Sequence, residues 1–184
     1  KFIFFNDVQF PKKGGWINRM KLIIGHEERW QTAPLDRSYN GFRKINEISF
    51  VREDNWREKF KRTLQLNYSK HPFFNETIDY LYPLIDFDNN NMAEYNINSI
   101  ISLAEMLGID SGKCVKSSNL LVEGSSSRLL CSLTKSVSGD SYMCGGGAHA
   151  YQDEAVFKVF GIKLIYQNFV HPIYTQLGCK NFIP

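Results

Sequence analysis

The sequence YMCGGGAHAYQDEAVF, which begins at residue 142, places a cysteine, three glycines and a histidine between two apolar segments. A glycine-rich turn between a strand and a helix exposes backbone N–H groups, and the positive end of the helix dipole attracts anions there. Gly145 and Gly146 are therefore candidate substrate-binding residues. A tight turn that requires positive φ angles explains the same glycines equally well, so both interpretations stand.

Cys144 stands at the end of the predicted strand, where a thiol could act as a nucleophile with His149 or His171 as its base. No nucleophile-elbow motif accompanies the cysteine, and a small buried cysteine is the simpler interpretation. A metal site built from these three side chains is less favoured still, because such sites need three well-supported protein ligands. We therefore predict a structural cysteine and no metal.

A second loop, SSNLLVEGSSSR, also lies between a predicted strand and a predicted helix, and it offers Ser117, Ser118 and Arg128. In open parallel sheets, ligands bind beyond the carboxyl ends of the strands, so neighbouring strands would bring this loop beside the glycine loop. Together the two loops could hold a phosphate, a carboxylate or an oxyanion. Serines before a helix are also ordinary caps, which is the competing interpretation.

Further polar candidates follow the first strand, lie in WINR or follow the last strand, and they are Asp7, Trp16, Asn18, Arg19, His171, Tyr174 and Gln176. Arg19 can pair with a carboxylate or phosphate through two hydrogen bonds, although a surface salt bridge is the commoner role of an arginine. His171 is a candidate general base or orienting group, and its alternative is a turn residue before Pro172. We predict Arg19 and His171 as the catalytic residues and the others as substrate-binding residues.

Apolar periodicity predicts the elements that position these residues. In the first half, KFIFF is predicted as a buried strand, WINRMKLIIG and ERWQTAPL as a hairpin that turns at GHE, and INEISFV as a further strand. Three helical patterns follow. The first starts after Asn55 and ends at HP, the second is NETIDYLYPLI, broken near Pro83, and the third has an Asn91 cap and ends before Gly108.

The last third alternates strand and helix patterns: CVKSS, a helix through LLCSLTKSV, SYMCG, a helix that stops at Gly161, and IKLIYQNF. This alternation with short links indicates a parallel α/β unit. We predict an α/β fold with a parallel or mixed central sheet flanked by helices, an N-terminal β-hairpin region and a mid-chain helical segment.

Composition narrows the function classes. The 184 residues suit one domain, and the net charge of +3 is too small to indicate nucleic-acid binding. Trp56 and its neighbours have the helical spacing of a core, not of a base-stacking platform. The cysteines form no CxxC pair, and no apolar run reaches membrane-spanning length. We expect a reduced, cytoplasmic setting, no nucleic-acid partner and no membrane span.

Several blocks carry a resemblance that covers nearly the whole chain. FNDVQFPKKGGWINRMKL resembles the Asp-Val-x-[Phe/Tyr]-x-Lys-x-x-Trp-x-Asn-Arg block of the WbqC-like family, a set of bacterial proteins associated with O-antigen and other surface polysaccharides. NYSKHPFF, SSNL with Arg128, HPIYTQ and NFIP resemble further blocks in the same order. In the glycine stretch, Gly145 and Tyr151 match the family, whereas Cys144 stands where serine is common. The resemblance adds Tyr151 to the substrate-binding candidates.

The resemblance implies acyl or aminoacyl transfer, with glycine as one candidate group, or amide formation on an amino sugar or nucleotide-sugar. ATP or an acyl donor would be the cofactor, because the α/β pattern also resembles nucleotidyltransferase-like folds such as pantothenate synthetase, which activate a carboxylate as an acyl-adenylate. The alternative is a non-catalytic ligand-binding or scaffold protein of glycan assembly. We expect residues 1–184 to form a single WbqC-like domain that lacks N-terminal and C-terminal family segments.

Overall fold

A computed structural model describes residues 1–11, 15–176 and 182–183 of the chain. Lys13 of the first family block, Cys179 and part of NFIP lie outside the described residues. The described strands are β1 (Phe2–Phe4), β2 (Arg19–Ile24), β3 (Glu27–Thr32), β4 (Cys114–Lys116), β5 (Ser141–Gly145) and β6 (Lys163–Gln167). The α-helices are α1 (Trp56–Tyr68), α2 (Phe74–Ile85), α3 (Met92–Met106), α4 (Ser126–Ser136) and α5 (Glu154–Val159).

The chain divides into two compact units, which we treat separately. The strand–helix unit comprises residues 1–5 and 112–173, and the hairpin unit comprises residues 6–111 and 174–184. The mixed α/β class, the N-terminal hairpin and the mid-chain helices are confirmed. The described strands pair as three two-stranded sheets: β1 with β4 in parallel, β2 with β3 antiparallel, and β5 with β6 in parallel. The single-domain expectation stays a prediction.

The strand–helix unit contains the parallel strand–helix–strand arrangement that its sequence predicts. From Ser141 opposite Lys163 to Gly145 opposite Gln167, β5 and β6 are in register, and α5 forms the connection between them. The apolar faces of α4 and α5 meet at Cys131 and Phe157, which are 0% and 1% exposed. Strands and helices alternate in this unit as the sequence pattern predicts, so the predicted alternation is confirmed.

In the hairpin unit, a two-residue turn at Gly25 and His26 defines the hairpin. Gly25 and His26 have φ angles of 60° and 70°, the two positive values that a type I′ turn requires, and the turn joins β2 to β3. Two hydrogen bonds attach α1 to this hairpin. The Tyr68 hydroxyl accepts from the Ile23 N–H at 2.8 Å, and Asn67 Oδ1 accepts from the Gly25 N–H at 3.3 Å.

An aromatic core lies beneath the helices of the hairpin unit. Phe50, Trp56 and Tyr95 pack with ring centres 5.0 to 5.6 Å apart, and all three are less than 10% exposed. The first turn of α3 contributes Met92 and Tyr95 to this core. The helix start is capped as the sequence pattern predicts, because the Asn91 side chain accepts from the Glu94 N–H at 3.1 Å. Gly108 ends the helix region with a φ of 74°.

Two predicted strands of the first half are corrected. INEISFV is not a strand: residues Ile45–Glu47 form a 3-10 turn, and isolated bridges follow, because Ile48 and Phe50 turn into the aromatic core instead of lying along a partner strand. KFIFF forms a strand of only three residues, and it is not fully buried, since Phe2 is 56% exposed.

The ends of the first two helices also differ from the prediction. Helix α1 ends at Tyr68, before His71, and Asn55 precedes it without a capping bond from its side chain. Helix α2 continues through Pro83 to Ile85, because a proline this close to the C-terminus removes a single hydrogen bond while Ile85 stays 5% exposed in the core.

Candidate functional site

The predicted site residues divide between the two units. The strand–helix unit holds Ser117, Ser118, Arg128, Gly145, Gly146, Tyr151 and His171. The hairpin unit holds Asp7, Trp16, Asn18, Arg19, Tyr174 and Gln176. Each group therefore has its own local setting.

One face of the hairpin carries a cluster of two tryptophans and two cations, which we call the tryptophan–cation face. The rings of Trp16 and Trp30 meet edge to face with centres 4.6 Å apart. The Arg19 Cζ lies 4.2 Å from the centre of the Trp30 ring, and the Lys21 Nζ lies 5.6 Å from it. Trp16 is 62% exposed, so it is available for stacking by a flat or pyranose ring.

Strand alternation explains how the sequence builds this face. Arg19 and Lys21 are two residues apart on β2 and therefore point the same way, and Trp30 lies directly opposite Lys21 on β3. The loop that carries Trp16 is tied to the strand because Arg19 Nε donates to the Gly15 carbonyl at 2.9 Å. Glu28 accepts from the Lys21 ammonium at 2.6 Å and partly neutralises it.

Asn18 holds this loop in place through its hydrogen bonds. Its Nδ2 donates to the Ala33 carbonyl at 2.9 Å, and its backbone carbonyl accepts from the Ala33 N–H at 2.8 Å. In addition, the Asn96 side chain of α3 donates to the Ile17 carbonyl at 2.8 Å. These bonds give Asn18 a positioning role beside the tryptophan–cation face.

An apolar cavity of about 380 Å³ extends between the hairpin and the helices of its unit. Its lining is mainly aliphatic and aromatic and includes Leu22, Trp56 and Leu103, while Trp16 and Arg19 of the tryptophan–cation face also line it. Trp56 is 7% exposed, and among the described residues its indole N–H has no hydrogen-bond partner. The cavity is thus suited to an apolar group that enters beside Arg19.

A second hollow of the hairpin unit, which we call the polar cleft, has a volume of about 760 Å³. Its polar lining comes from the hairpin, the end of α1 and the later segment: Lys21, His26, Glu28, Asn67, Tyr68, Lys70, His71, Tyr174, Thr175 and Gln176. Gln176 of the predicted set is engaged here, since its amide group exchanges two hydrogen bonds with the backbone of Ile183, at 2.7 and 2.8 Å. Tyr174 packs edge to face on Phe182 and remains 60% exposed.

The sequence did not predict Lys21, Trp30, Lys70 or His71 as site residues. In the sequence, Lys70 and His71 stand out only as members of the NYSKHPFF block. The structure adds that several residues of this block line the same cleft. Trp30 becomes a partner of Trp16 only through the hairpin register.

In the strand–helix unit, the glycine loop forms a 3-10 turn over Gly146–Ala150. None of its three glycines has a positive φ, and the φ of Gly145 is −65°, so the interpretation of a turn that requires positive φ is wrong. A Cβ at Gly145 or Gly147 would meet no atom within 4 Å. Neither the backbone conformation nor a close neighbour requires glycine at these two positions. The space beside them is open to a ligand.

The expected helix-end amides behind this loop are already occupied. The Asp153 side chain caps α5 by accepting from the N–H groups of Ala155 and Val156, at 3.0 and 3.4 Å. An internal carboxylate therefore takes the place that the sequence analysis assigned to a bound anion. The N-terminus of α4 has no side-chain cap among the described residues, so it keeps the predicted anion-binding potential.

Ser127 connects the two predicted loops. Its buried hydroxyl donates to Gln152 Oε1 at 3.3 Å and accepts from the Asp153 N–H at 2.9 Å. The serine loop therefore contacts the segment that follows the glycine loop. The predicted cause of this proximity is not observed, because the described strands pair β4 with β1 and β5 with β6. Ser117 is buried, whereas Arg128, Tyr151 and His171 are exposed, and the His171 ring lies 5.0 Å from that of Phe169.

Cys144 lacks the properties of an activated nucleophile. Its thiol lies 3.8 Å from the Ile165 carbonyl, to which it donates, and burial raises the pKa of the thiol. The His149 ring instead stacks on Tyr166 with centres 3.4 Å apart. This setting agrees with a structural cysteine.

The described residues form neither a metal-binding cluster nor a membrane-spanning helix. No group of three or more His, Cys, Asp or Glu side chains is placed to hold a metal ion. No described helix combines the length and apolar character that a membrane crossing requires.

Comparisons with known proteins identify the family. The chain is 27% identical over 165 residues to the uncharacterized protein Rv1507c of Mycobacterium tuberculosis, an alignment that spans 89% of this chain and 70% of that protein. No solved structure matches the chain at a significant level. The sequence profile of the WbqC-like protein family matches residues 1–184. The chain therefore belongs to the WbqC-like protein family.

Proposed function

We propose that the chain binds a nucleotide-linked amino sugar at the tryptophan–cation face and forms an amide on the sugar amine by acyl or aminoacyl transfer. One observation carries the proposal: Trp16 and Arg19 belong both to the exposed face and to the lining of the apolar cavity. An acceptor sugar on the face and an acyl group in the cavity would meet at these two residues.

The face offers what such an acceptor needs. An exposed indole ring stacks on a sugar or a base, and a guanidinium presents several N–H donors to a negatively charged oxygen. Arg19 is held over Trp30 with one of its five N–H donors bonded to Gly15, so its orientation is set before a ligand arrives. This preorganisation reduces the cost of ordering the side chain on binding.

The reaction would proceed by attack of the sugar amine on the acyl carbon. A C–N bond forms, the bond between the acyl carbon and its phosphate or thiolate leaving group breaks, and the leaving group departs with the electron pair. In this proposal Arg19 stabilises the negative charge that develops on the acyl oxygen. His171, Arg128 and the loops of Gly145 and Ser117 belong to the other unit. Their roles as a general base and as anion-binding groups stay predictions from the sequence.

The biological setting belongs to the same proposal. The resemblance of the sequence blocks favours a transferase of bacterial O-antigen or related polysaccharide biosynthesis. The proposal also includes a cytoplasmic location, ATP or an acyl donor as the cofactor, and no nucleic-acid partner. These three points rest on the sequence.

The direct test is a transfer assay in which mass spectrometry detects the amide. We expect Arg19→Gln, Arg128→Gln and His171→Gln each to lower the rate at least tenfold. Arg62→Gln is the matched control, because Arg62 is exposed on α1 and lines neither cavity. Unchanged rates in all three site variants would refute the catalytic assignment.

A non-catalytic ligand-binding role is the second candidate. The observation that favours it is the state of Cys144, whose raised thiol pKa leaves the glycine stretch without an activated nucleophile. Thermal-shift measurements separate the two roles, since a ligand that binds only the folded state raises the melting temperature. Stabilisation that needs both an acyl donor and a sugar supports transfer, whereas stabilisation by the sugar alone supports binding.

A further inference from the structure

The polar cleft is rich in basic side chains. Lys21, His26, Lys70 and His71 line it, whereas Glu28 is the one acidic side chain in its described lining. Glu28 is already paired with Lys21 at 2.6 Å. Within the described part of the chain, no carboxylate lies within ion-pair distance of the other three basic side chains, so they carry donors that an anion could use.

The fold fixes the two segments that supply these donors. His26 belongs to the hairpin turn, and Lys70 and His71 follow the end of α1. The hydrogen bonds from the Ile23 N–H to Tyr68 and from the Gly25 N–H to Asn67 hold the turn against the end of this helix. Donors from two distant parts of the sequence are thus brought into one cleft before a ligand binds.

Lys21 is common to the polar cleft and the tryptophan–cation face. Lys21 lines the cleft, and its ammonium lies 5.6 Å from the Trp30 ring centre and 5.7 Å from that of Trp16. At the roughly 30 Å³ that a water molecule takes up in the liquid, the volume of about 760 Å³ accommodates a diphosphate together with a neighbouring ribose. A ligand whose sugar stacks on Trp16 would therefore extend its phosphates past Lys21 into the cleft.

We propose that the polar cleft binds the diphosphate of a nucleoside-diphosphate-linked substrate, with His26, Lys70 and His71 as donors to its oxygens. This inference rests on the proposed function, because it assigns the phosphate part of the same acceptor. It assigns to the NYSKHPFF block a role in ligand binding besides its role in attaching α1 to the hairpin.

Calorimetric titration with pyrophosphate and with uridine diphosphate tests the cleft. We expect both anions to bind the wild-type protein, with an affinity that weakens as salt rises. Lys70→Gln should lower the affinity for each anion about tenfold or more, since it removes a charge-assisted hydrogen bond to phosphate. Lys59→Gln on α1 is the matched control, because Lys59 pairs with Asp54 and does not line the cleft.

His26→Asn provides a second variant that keeps the turn. His26 has a φ of 70°, a value that asparagine adopts more readily than most residues, so the substitution removes the imidazole without straining the hairpin. We expect a loss of about threefold or more in affinity for uridine diphosphate. Uridine, which has no phosphate, should bind the wild type, Lys70→Gln and His26→Asn equally.

The outcomes separate this inference from the function that it deepens. Absence of pyrophosphate and uridine diphosphate binding, or equal binding by Lys70→Gln and Lys59→Gln, overturns the cleft assignment. Pyrophosphate binding that depends on Lys70, in a protein that does not bind an amino sugar at Trp16, supports the cleft and refutes the proposed acceptor.

Discussion

The Arg19 guanidinium carbon lies 4.2 Å from the centre of the Trp30 ring, and the Arg19 Nε donates to the Gly15 carbonyl at 2.9 Å. The first contact joins the two strands of the hairpin, and the second joins the strand to the loop of Trp16. Arg19 therefore organises the tryptophan–cation face as well as contributing its charge. A charge-conserving substitution can separate these two roles.

Arg19→Lys keeps the charge but removes the planar group that stacks on Trp30. Arginine stacking on an aromatic ring contributes about 0.5–2 kcal/mol, so we expect the affinity for uridine diphosphate glucosamine to fall by about two- to thirtyfold. Arg29→Lys is the control, because Arg29 points to the other face of the hairpin and pairs with Glu27. Equal affinities of wild type and Arg19→Lys in calorimetry would show that only the charge matters.

Tyr68→Phe should weaken the attachment of α1 to the hairpin. The substitution leaves the Ile23 N–H without its acceptor at 2.8 Å, and we expect a loss of about 1 kcal/mol in the free energy of unfolding. Urea denaturation measures this loss. Tyr80→Phe, at a position 53% exposed on α2, should change the stability by less than about 0.5 kcal/mol. Similar losses for both variants would contradict the assigned role of the Tyr68 hydroxyl.

Gly139→Ala should destabilise the turn that follows α4. The new methyl group would lie 2.9 Å from the Thr134 carbonyl oxygen and 2.8 Å from its side-chain methyl, and overpacking of this kind costs about 1–3 kcal/mol. Gly147→Ala is the comparison, since its added methyl group meets no atom within 4 Å. We expect thermal denaturation to show a lower melting temperature for Gly139→Ala only, and the reverse order would be inconsistent with the loop geometry.

The Cys144 thiol should react slowly with iodoacetamide. Burial raises its pKa, so at pH 7.5 a smaller fraction is present as the reactive thiolate than in free cysteine, and the rate should rise as the pH increases. Mass spectrometry of the alkylated peptide gives the rate, with Cys144→Ser to assign the signal. Alkylation of Cys144 at pH 7.5 faster than that of free cysteine would restore the nucleophile hypothesis.

Locally encoded features were predictable from the sequence, as three elements illustrate. The hairpin follows from the Gly25 turn, the start of α3 from the Asn91 cap, and the end of the α5 region from Gly161, whose φ is 61°. Each of these signals acts over a few residues. The strand predicted for INEISFV was wrong for the opposite reason. Its apolar residues pack into a core whose other members are distant in sequence.

The site was predictable only where its residues are adjacent in sequence. Trp16, Asn18 and Arg19 lie within four residues and do form one structural feature. Lys70 and Trp30 were missed because the fold, not the sequence spacing, places them beside the cleft and beside Trp16. The glycine loop shows the converse, since Asp153 occupies the helix-end amides that the pattern assigned to a ligand.

The central claim is that the tryptophan–cation face binds a nucleotide-linked amino sugar, and calorimetric titration of uridine diphosphate glucosamine tests it most directly. Stacking on an exposed aromatic ring contributes about 1–3 kcal/mol, so Trp16→Ala should lower the affinity tenfold or more. Trp16 is 62% exposed, and the fold should therefore survive the substitution. Arg29→Gln should bind like the wild type. Equal affinities for the wild type and Trp16→Ala, or no binding by the wild type, would contradict the account.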